Sequence, residues 1–296
     1  MQRVKEKAIQ LLKDGVVDRV IGWKAGEFFY DLTPAVFTTA EEVEKGFVWS
    51  VFSAANVSKY LIAESKKGGR IAAFLKPCDS YSFVQLCKEH RIAKENVYVV
   101  GVQCDGTCDI EKLKALGFKG VTGVEERGEE LLVSTLYGGK TAAKKDALLE
   151  RCTVCKSKRI AYFDELLGEQ GEDCGDARFE AVEKLEAMTP EERFAFWRGE
   201  LSRCIRCNAC RNVCPACSCE KCVFDNHVLG TDNKAAADDF EENFFHIIRA
   251  FHVASRCTDC GECSRVCLPN SIWRASFQTR LGNDKCYYTS DSGIYN

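Results

Sequence analysis

Eight cysteines in the last third of the chain repeat one spacing twice. Cys204, Cys207, Cys210 and Cys214 fit C-x2-C-x2-C-x3-C followed by Pro215, and Cys257, Cys260, Cys263 and Cys267 fit the same pattern. Three thiolates at i, i+3 and i+6 wrap one face of a [4Fe-4S] cube, whereas the fourth, a further turn along, points away and ligates the other cube of a two-cluster module. The spacing therefore predicts one cube on Cys204, Cys207, Cys210 and Cys267, and a second on Cys257, Cys260, Cys263 and Cys214. Zinc also uses C-x2-C pairs, but its sites rarely need three thiolates in this register with a distant fourth. The second copy ends Cys267-Leu268-Pro269 where the first has Cys214-Pro215, so a different chain exit is expected there.

Three cysteines are left over between the copies. The stretch CIRCNACRNVCPACSCEKC holds seven cysteines, and Cys217, Cys219 and Cys222 are surplus to two cubes. They are expected to pack against the cubes as weak S–H donors that tune potentials. The competing reading is an additional metal site begun by C-x-C-x2-C and completed by a partner subunit. With 19 cysteines, the chain reads as a metal-ligand protein of a reducing, cytoplasmic compartment and not as a disulfide scaffold. The N-terminus lacks the apolar core of a signal peptide, and no run of 18 apolar residues is present, so no membrane span is expected. Lys and Arg number 41 against 44 Asp and Glu, a net charge of −3. Such a balance offers no basic face for nucleic acid and points to protein partners.

The first half has a different texture. An amphipathic helix over 2–14 (Val4, Ala8, Ile9, Leu11, Leu12) ends at Asp14-Gly15, and VVDRVIGW and EFFYDL read as extended. NVSKYLIAESKKGG reads as a helix stopped by Gly68-Gly69. The apolar run IAAFLK at 71–76, a helix opening at Pro77 to Ser80 and a second apolar run, NVYVVGVQ at 96–103, make a parallel βαβ unit. The expected architecture is an α/β domain with a parallel βαβ core over 1–176, then a smaller ferredoxin-like dicluster domain over 201–296. Residues 177–200 join them: an acidic, Gly-rich stretch near 165–180 leads to Thr189-Pro190-Glu191-Glu192, a capping box that opens a helix delivering the chain to Cys204. A further helix is expected near 239–254. The run Glu125 to Glu130 reads as a solvated hairpin or loop.

This half carries its own thiols. Cys78 and Cys104 each follow the C-terminal end of a predicted parallel strand, the edge at which open α/β sheets bind ligands. Cys152 and Cys155 form a C-x2-C pair able to return there, which would complete a third cube, with Cys108 a rival for one position. No G-x-G-x-x-G follows a strand, so no Rossmann-type nucleotide site is visible. The helix start at Asp79-Ser80 could receive a phosphate through free N–H groups. His246 and His252, on the helix leading to Cys257, could donate to cluster sulfur, although packing is the commoner role. Cys87 reads as core, and Cys174 and Cys286 as free thiols.

CIRCNACRNVCPACSC resembles the dicluster ferredoxin modules of hydrogenase, formate dehydrogenase and heterodisulfide-reductase-type complexes. Lys76-Pro77-Cys78-Asp79, Val99 to Cys104 and Cys152-Thr153-Val154-Cys155 resemble the three cysteine blocks of the beta-subunit family of coenzyme F420-reducing hydrogenase and F420-linked formate dehydrogenase. The second resemblance implies a [4Fe-4S] cluster on Cys78, Cys104, Cys152 and Cys155 beside an FAD, with Lys76, Pro77, Asp79 and Ser80 near the flavin. The expected function is an electron-transferring flavin and iron–sulfur subunit of a soluble anaerobic oxidoreductase, working with other subunits and a diffusible carrier such as F420, NAD or ferredoxin. A flavin-free relay and a structural or docking metal module are the alternatives.

Overall fold

The computed structural model describes residues 2–175, 177–226 and 239–267, with only the backbone at 177 and 239–242. Cys286 and the exit through Leu268-Pro269 lie outside the described residues. A mixed five-stranded sheet organises the first half, in the order β2-β1-β3-β4-β8. Its strands are β1 (Arg19–Ala25), β2 (Leu32–Phe37), β3 (Ile71–Leu75), β4 (Val97–Val102) and β8 (Glu165–Leu167); β5 (Val121–Arg127), β6 (Glu130–Thr135) and β7 (Gly138–Ala143) form a separate meander. Only the β1–β2 pair in the larger sheet is antiparallel; β1–β3, β3–β4 and β4–β8 are parallel.

Both faces of this sheet are covered, which is why β3 is apolar throughout and not alternating. Ala72 and Phe74 point to one side, against Val4, Ala8 and Leu11 of the helix Gln2–Lys13. Ile71, Ala73 and Leu75 point to the other, against Phe83 and Leu86 of the helix Pro77–Lys88. At Gly22 a Cβ would lie 2.1 Å from the Phe47 ring, so only glycine lets β1 pass under that ring. The predicted βαβ unit is present, and its parallel strands end together, putting Lys76, Gln103 and Gly168 along one edge.

Three expectations change. EFFYDL is not extended: Gly26 N–H donates to Asp31 O (2.6 Å) and closes a turn in which Phe28 stacks on Tyr30, and Phe29 and Tyr30 meet each other and Phe52 edge-on. The 56–69 helix is broken into a 3-10 turn, Val57–Lys59, capped by the Asn56 side chain, and a short helix, Leu61–Glu64. The acidic stretch assigned to the linker begins with a sheet strand, because Glu165–Leu167 pairs with Val100–Val102. The charged run around Gly128 is the tip of the β5–β6 hairpin.

Glu180–Glu186 and Pro190–Leu201 are helical, and Thr189 and Glu192 form the predicted reciprocal cap on the second. The helix near 239–254 spans Asp239–Val253. Polar contacts dock the cysteine-rich half onto the sheet domain. Ser82 Oγ and Thr258 Oγ1 are 2.8 Å apart, Arg178 Nη1 is 3.1 Å from Asp259 Oδ2, Arg256 Nε donates to Glu89 Oε1 (2.7 Å), and buried Arg151 pairs with buried Glu262. No described helix is long and apolar enough to cross a membrane.

Candidate metal centres

The two motif loops are one local structure used twice, each position of the first recurring 53 residues on (204 to 257, 210 to 263). The backbone is left-handed at matching places: Arg206 (φ 49°) and Asn208 (60°) in one loop, Asp259 (57°) and Gly261 (67°) in the other. Asn, Asp and Gly are the residues that tolerate this region best. Gly261 is required for a second reason, since a Cβ there would lie 2.5 Å from Arg151 Cβ. Each loop then enters a short helix, Ala209–Val213 or Glu262–Arg265. The winding turns main-chain N–H groups toward sulfur: Arg206 N–H donates to Cys204 Sγ (3.3 Å), and Asp259 and Glu262 N–H to the sulfurs of Cys257 and Cys260. Hydrogen bonds of this kind favour the thiolate.

Cys214, Cys257, Cys260 and Cys263 line one small cavity, so the crosswise set expected for the second cube comes together. In the other set, Cys210 has Cys207 and Cys267 within electrostatic reach. Burial pushes the Cys257 thiol up to about 12 and Cys263 further. An enclosure that disfavours bare thiolates fits a group that brings its own positive iron. The residue that composition did not reveal is Arg249. It is 2% exposed, its Nη1 donates to Cys210 Sγ (2.9 Å), and Cys214, Cys217 and Cys263 surround its charge. His246, one helical turn earlier, is buried against Phe245; burial, then Arg249 and Arg206, lower its pKa to about 2, so the ring is neutral.

The third group also converges. Cys78, Cys104, Cys152 and Cys155 line a common cavity whose far wall is Thr258, Asp259 and Cys260 of the second motif loop. Cys78 gets there from the first turn of the helix after β3, and Cys104 from the end of β4. The helix Glu150–Thr153 returns Cys152 and Cys155 to the same edge. Burial raises Cys152, but Arg151 and hydrogen bonds from Thr107 N (3.4 Å) and Thr107 Oγ1 (3.3 Å) outweigh it, leaving the thiol below its ordinary value. Lys158 stands among Cys155, Cys104 and Cys152. Cys108 is elsewhere, in the core with Leu113 and Leu131 and with its N–H on Val51 O. Cys174 is not remote: the bridge Ser157–Asp173 folds it back beside Cys155. Among the described residues no three Cys, His, Asp or Glu side chains could hold a single metal ion. The thiols ring larger spaces.

Beside this cavity, and sharing Lys76, Cys104, Gly106 and Thr107 with it, a cleft of about 440 Å³ opens at the strand ends. Val102, Gln103, Leu167, Gly168 and Trp49 also wall it, together with Arg3, Asp105 and the ion pair of Lys144 with Glu126. Of the four residues expected near a flavin, only Lys76 reaches this cleft; Pro77 lines the thiol cavity. Asp79 and Ser80 are fully buried and engaged inside the chain. Asp79 Oδ2 lies 2.8 Å from Lys76 Nζ and accepts from Lys76 N–H, while Ser80 Oγ donates to Pro77 O and accepts from Ala161 N–H. The helix start thus carries the chain's own carboxylate where a phosphate had been expected. The surplus Cys217, Cys219 and Cys222 share a different hollow, with Lys59, Arg211, Arg249, Arg256 and His252.

The chain thus joins an α/β sheet with a thiol cage at its strand ends to a module that carries the dicluster cysteine spacing twice. Residues 200–272 match the 4Fe-4S dicluster domain family. Over 87% of its length the chain is 25% identical to the F420-dependent formate dehydrogenase subunit beta of Methanocaldococcus jannaschii, covering 82% of that protein. It is likewise 25% identical over 75% of its length to the F420-dependent formate dehydrogenase 1 subunit beta of Methanococcus maripaludis, covering 73% of it. Among solved structures, a chain of the xenon-derivatised F420-reducing [NiFe] hydrogenase complex from Methanosarcina barkeri aligns with 68% of this chain and 84% of its own, at 14% identity and a TM-score of 0.42. The likeness to formate dehydrogenase beta subunits runs well beyond the short cysteine blocks that first carried it.

Proposed function

We propose that this chain is the flavin and iron–sulfur subunit of a multi-subunit oxidoreductase, passing electrons between a diffusible carrier at the sheet domain and a partner subunit at the dicluster end. One observation carries the reading: the cage of Cys78, Cys104, Cys152 and Cys155 shares a wall with Cys260, so three thiolate sites follow one another through the domain junction. The relatives' names point to F420 as the carrier and to a formate dehydrogenase as the assembly. So many exposed and half-buried thiols suit a reducing, oxygen-free cytoplasm.

The chain's own groups have separable tasks. Arg3 brings the cleft a cation, Trp49 offers an aromatic wall, Lys144 is held by Glu126, and the buried Lys76–Asp79 pair fixes the partition between cleft and cage. A flavin bound there would exchange two electrons or a hydride with the carrier and single electrons with a cluster. Potentials of neighbouring clusters are set by burial, charge and hydrogen bonds to sulfur, all of which differ among the three sites.

Anaerobically purified protein should contain about twelve iron atoms per chain, at four per cube, and acid precipitation should release a flavin. Replacing Cys104 by Ala should remove one cube's iron and leave the dicluster EPR signals in place. Full iron in that variant sinks the third cube. Full iron with no released flavin replaces this reading by a flavin-free relay.

A further inference from the structure

We propose that Cys219 and Cys222 are a redox-active dithiol that exchanges with a small anionic disulfide, giving the iron–sulfur module an outlet besides a partner subunit; its re-reduction rests on the function proposed above. Both thiols line a hollow of about 360 Å³ between the two halves of the chain, a volume in the range of small-molecule sites. They stand in C-x2-C spacing, and the chain bends at Glu220 and Lys221 between them. Cys219 is exposed and Cys222 half-buried, the asymmetry of an attacking thiol backed by a resolving one. Cys217 lines the same hollow, but no bend separates it from Cys219.

The walls favour negative charge. Lys59, Arg211, Arg249 and Arg256 line the hollow with His252, against one carboxylate, Asp225. Asp225 Oδ1 holds Arg211 Nη1 (2.8 Å), and Glu89 holds Arg256. Lys59 Nζ donates to the carbonyls of Arg211 and Cys217 (3.2 Å each) and meets no carboxylate among the described residues, so its charge is left for a ligand. Cations beside a thiol also favour the reactive thiolate. The segment is anchored on both sides: Arg91 bonds Ser218 O just before Cys219, and Phe224, just after Cys222, is buried against Phe245 (ring centroids 4.7 Å apart). Arg249 connects the hollow to the cluster ligands, since the same guanidinium donates to Cys210 Sγ (2.9 Å).

The exchange balances as follows. The Cys219 thiolate attacks one sulfur of R–S–S–R; that S–S bond breaks, a Cys219–S–S–R bond forms and RS⁻ leaves. The Cys222 thiolate attacks the Cys219 sulfur, the second RS⁻ leaves and a Cys219–Cys222 disulfide forms. The protons given up by the two cysteines go to the two RS⁻. Two electrons, delivered singly by reduced [4Fe-4S] clusters, and two protons from water restore the dithiol.

The test uses full-length, iron-loaded protein without oxygen, with glutathione disulfide as the anionic probe and bis(2-hydroxyethyl) disulfide as the neutral one, and reads products by mass spectrometry. The unaltered protein should reduce glutathione disulfide and gain a Cys219–Cys222 disulfide with no adduct. Cys222→Ser should stop at a glutathione adduct on Cys219, and Cys219→Ser should give neither product. Lys59→Gln should slow the anionic probe roughly tenfold and leave the neutral one unchanged. A first adduct on another cysteine, an adduct trapped in Cys217→Ser but not in Cys222→Ser, equal effects of Lys59→Gln on both probes, or iron lost from Cys219→Ser overturns the dithiol. Pre-reduced, desalted protein separates the dithiol from the reading beneath it: glutathione disulfide should abolish the reduced-cluster EPR signal in the unaltered protein and not in Cys219→Ser. Exchange with a persisting cluster signal overturns the outlet alone, whereas protein that yields no cluster signal on reduction overturns the electron-transfer function itself.

Discussion

At the scale of single residues, the group that ties the two cubes together is Arg249. Its guanidinium donates to Cys210 of one set and lies among Cys214 and Cys263 of the other, so one buried cation is shared by two sites that each gain negative charge on reduction. A charge-assisted hydrogen bond contributes roughly 1.5 kcal/mol or more, which for a one-electron couple is about 60 mV. Arg249→Gln is therefore expected to lower the midpoint of the Cys210 site by about that amount and that of the other site by less, and Arg249→Lys to restore part of the shift. An EPR-monitored redox titration reads it; unchanged midpoints at full iron would refute it. The two cysteine motifs were legible because cluster ligation imposes a local spacing. Arg249 was not. Its sulfur partner is 39 residues away, and an arginine on an amphipathic helix carries no mark of what its buried face will meet. Attention to polar groups on that helix did reach His246 and His252, but the donor proved to be the longer side chain between them, which can cross to Cys210.

Among elements, the helix Pro77–Lys88 joins the most. Its start carries Cys78, its flank packs on β3, and past its end Glu89 grips Arg256 just before the second motif. Burial raises the Glu89 pKa, but hydrogen bonds from Arg256 and Gln85 and the charges of Arg256 and Arg91 outweigh it, holding the carboxyl below its ordinary 4.5. A folded-state pKa below the unfolded one stabilises fully above the ordinary value and is lost as pH falls through the folded pKa. Because both side chains are partly exposed, the pair contributes about 1 kcal/mol. Glu89→Gln should lower the thermal midpoint near pH 7, and the difference from the unaltered protein should shrink toward about pH 4. A gap that stays constant across that range argues against the ion pair. This helix and its flanking strands were legible because β3 and β4 are buried on both faces and so apolar throughout. β8 was not, being three residues long in an acidic, Gly-rich stretch; its strand state comes from pairing with β4. EFFYDL has strand-forming side chains, yet its aromatic rings gain more by stacking in the turn between β1 and β2.

Across the whole molecule, the order of the sites follows from which loop faces the sheet domain. The cage at the strand ends meets Thr258, Asp259 and Cys260 of the second loop, and no cysteine of the first loop lines it. The first loop lies toward solvent, where Cys207 and Ile205 are exposed. Electrons entering at the sheet domain should therefore reach the Cys204, Cys207, Cys210 and Cys267 site by way of the Cys257, Cys260, Cys263 and Cys214 site, and leave from there to a partner. Arg151 fixes this arrangement: it bonds Ala54 O in the sheet domain and Glu262 in the dicluster domain in buried surroundings, and Cys260 O in partly buried ones. Breaking a buried pair of this kind by removing one partner costs about 3–5 kcal/mol, so the two halves are held as one unit at this point. Cys257→Ala removes a ligand of the middle site while leaving Arg151 and the cage residues intact. In that variant, reduced F420, the carrier proposed above, should no longer reduce the outer site on the timescale it shows with the unaltered protein, although dithionite, which needs no internal path, still should. Freeze-quench EPR of the outer site's signal distinguishes the cases. If that signal grows in at the unaltered rate after the middle site's iron has been lost, the path from sheet domain to partner does not run through the second loop.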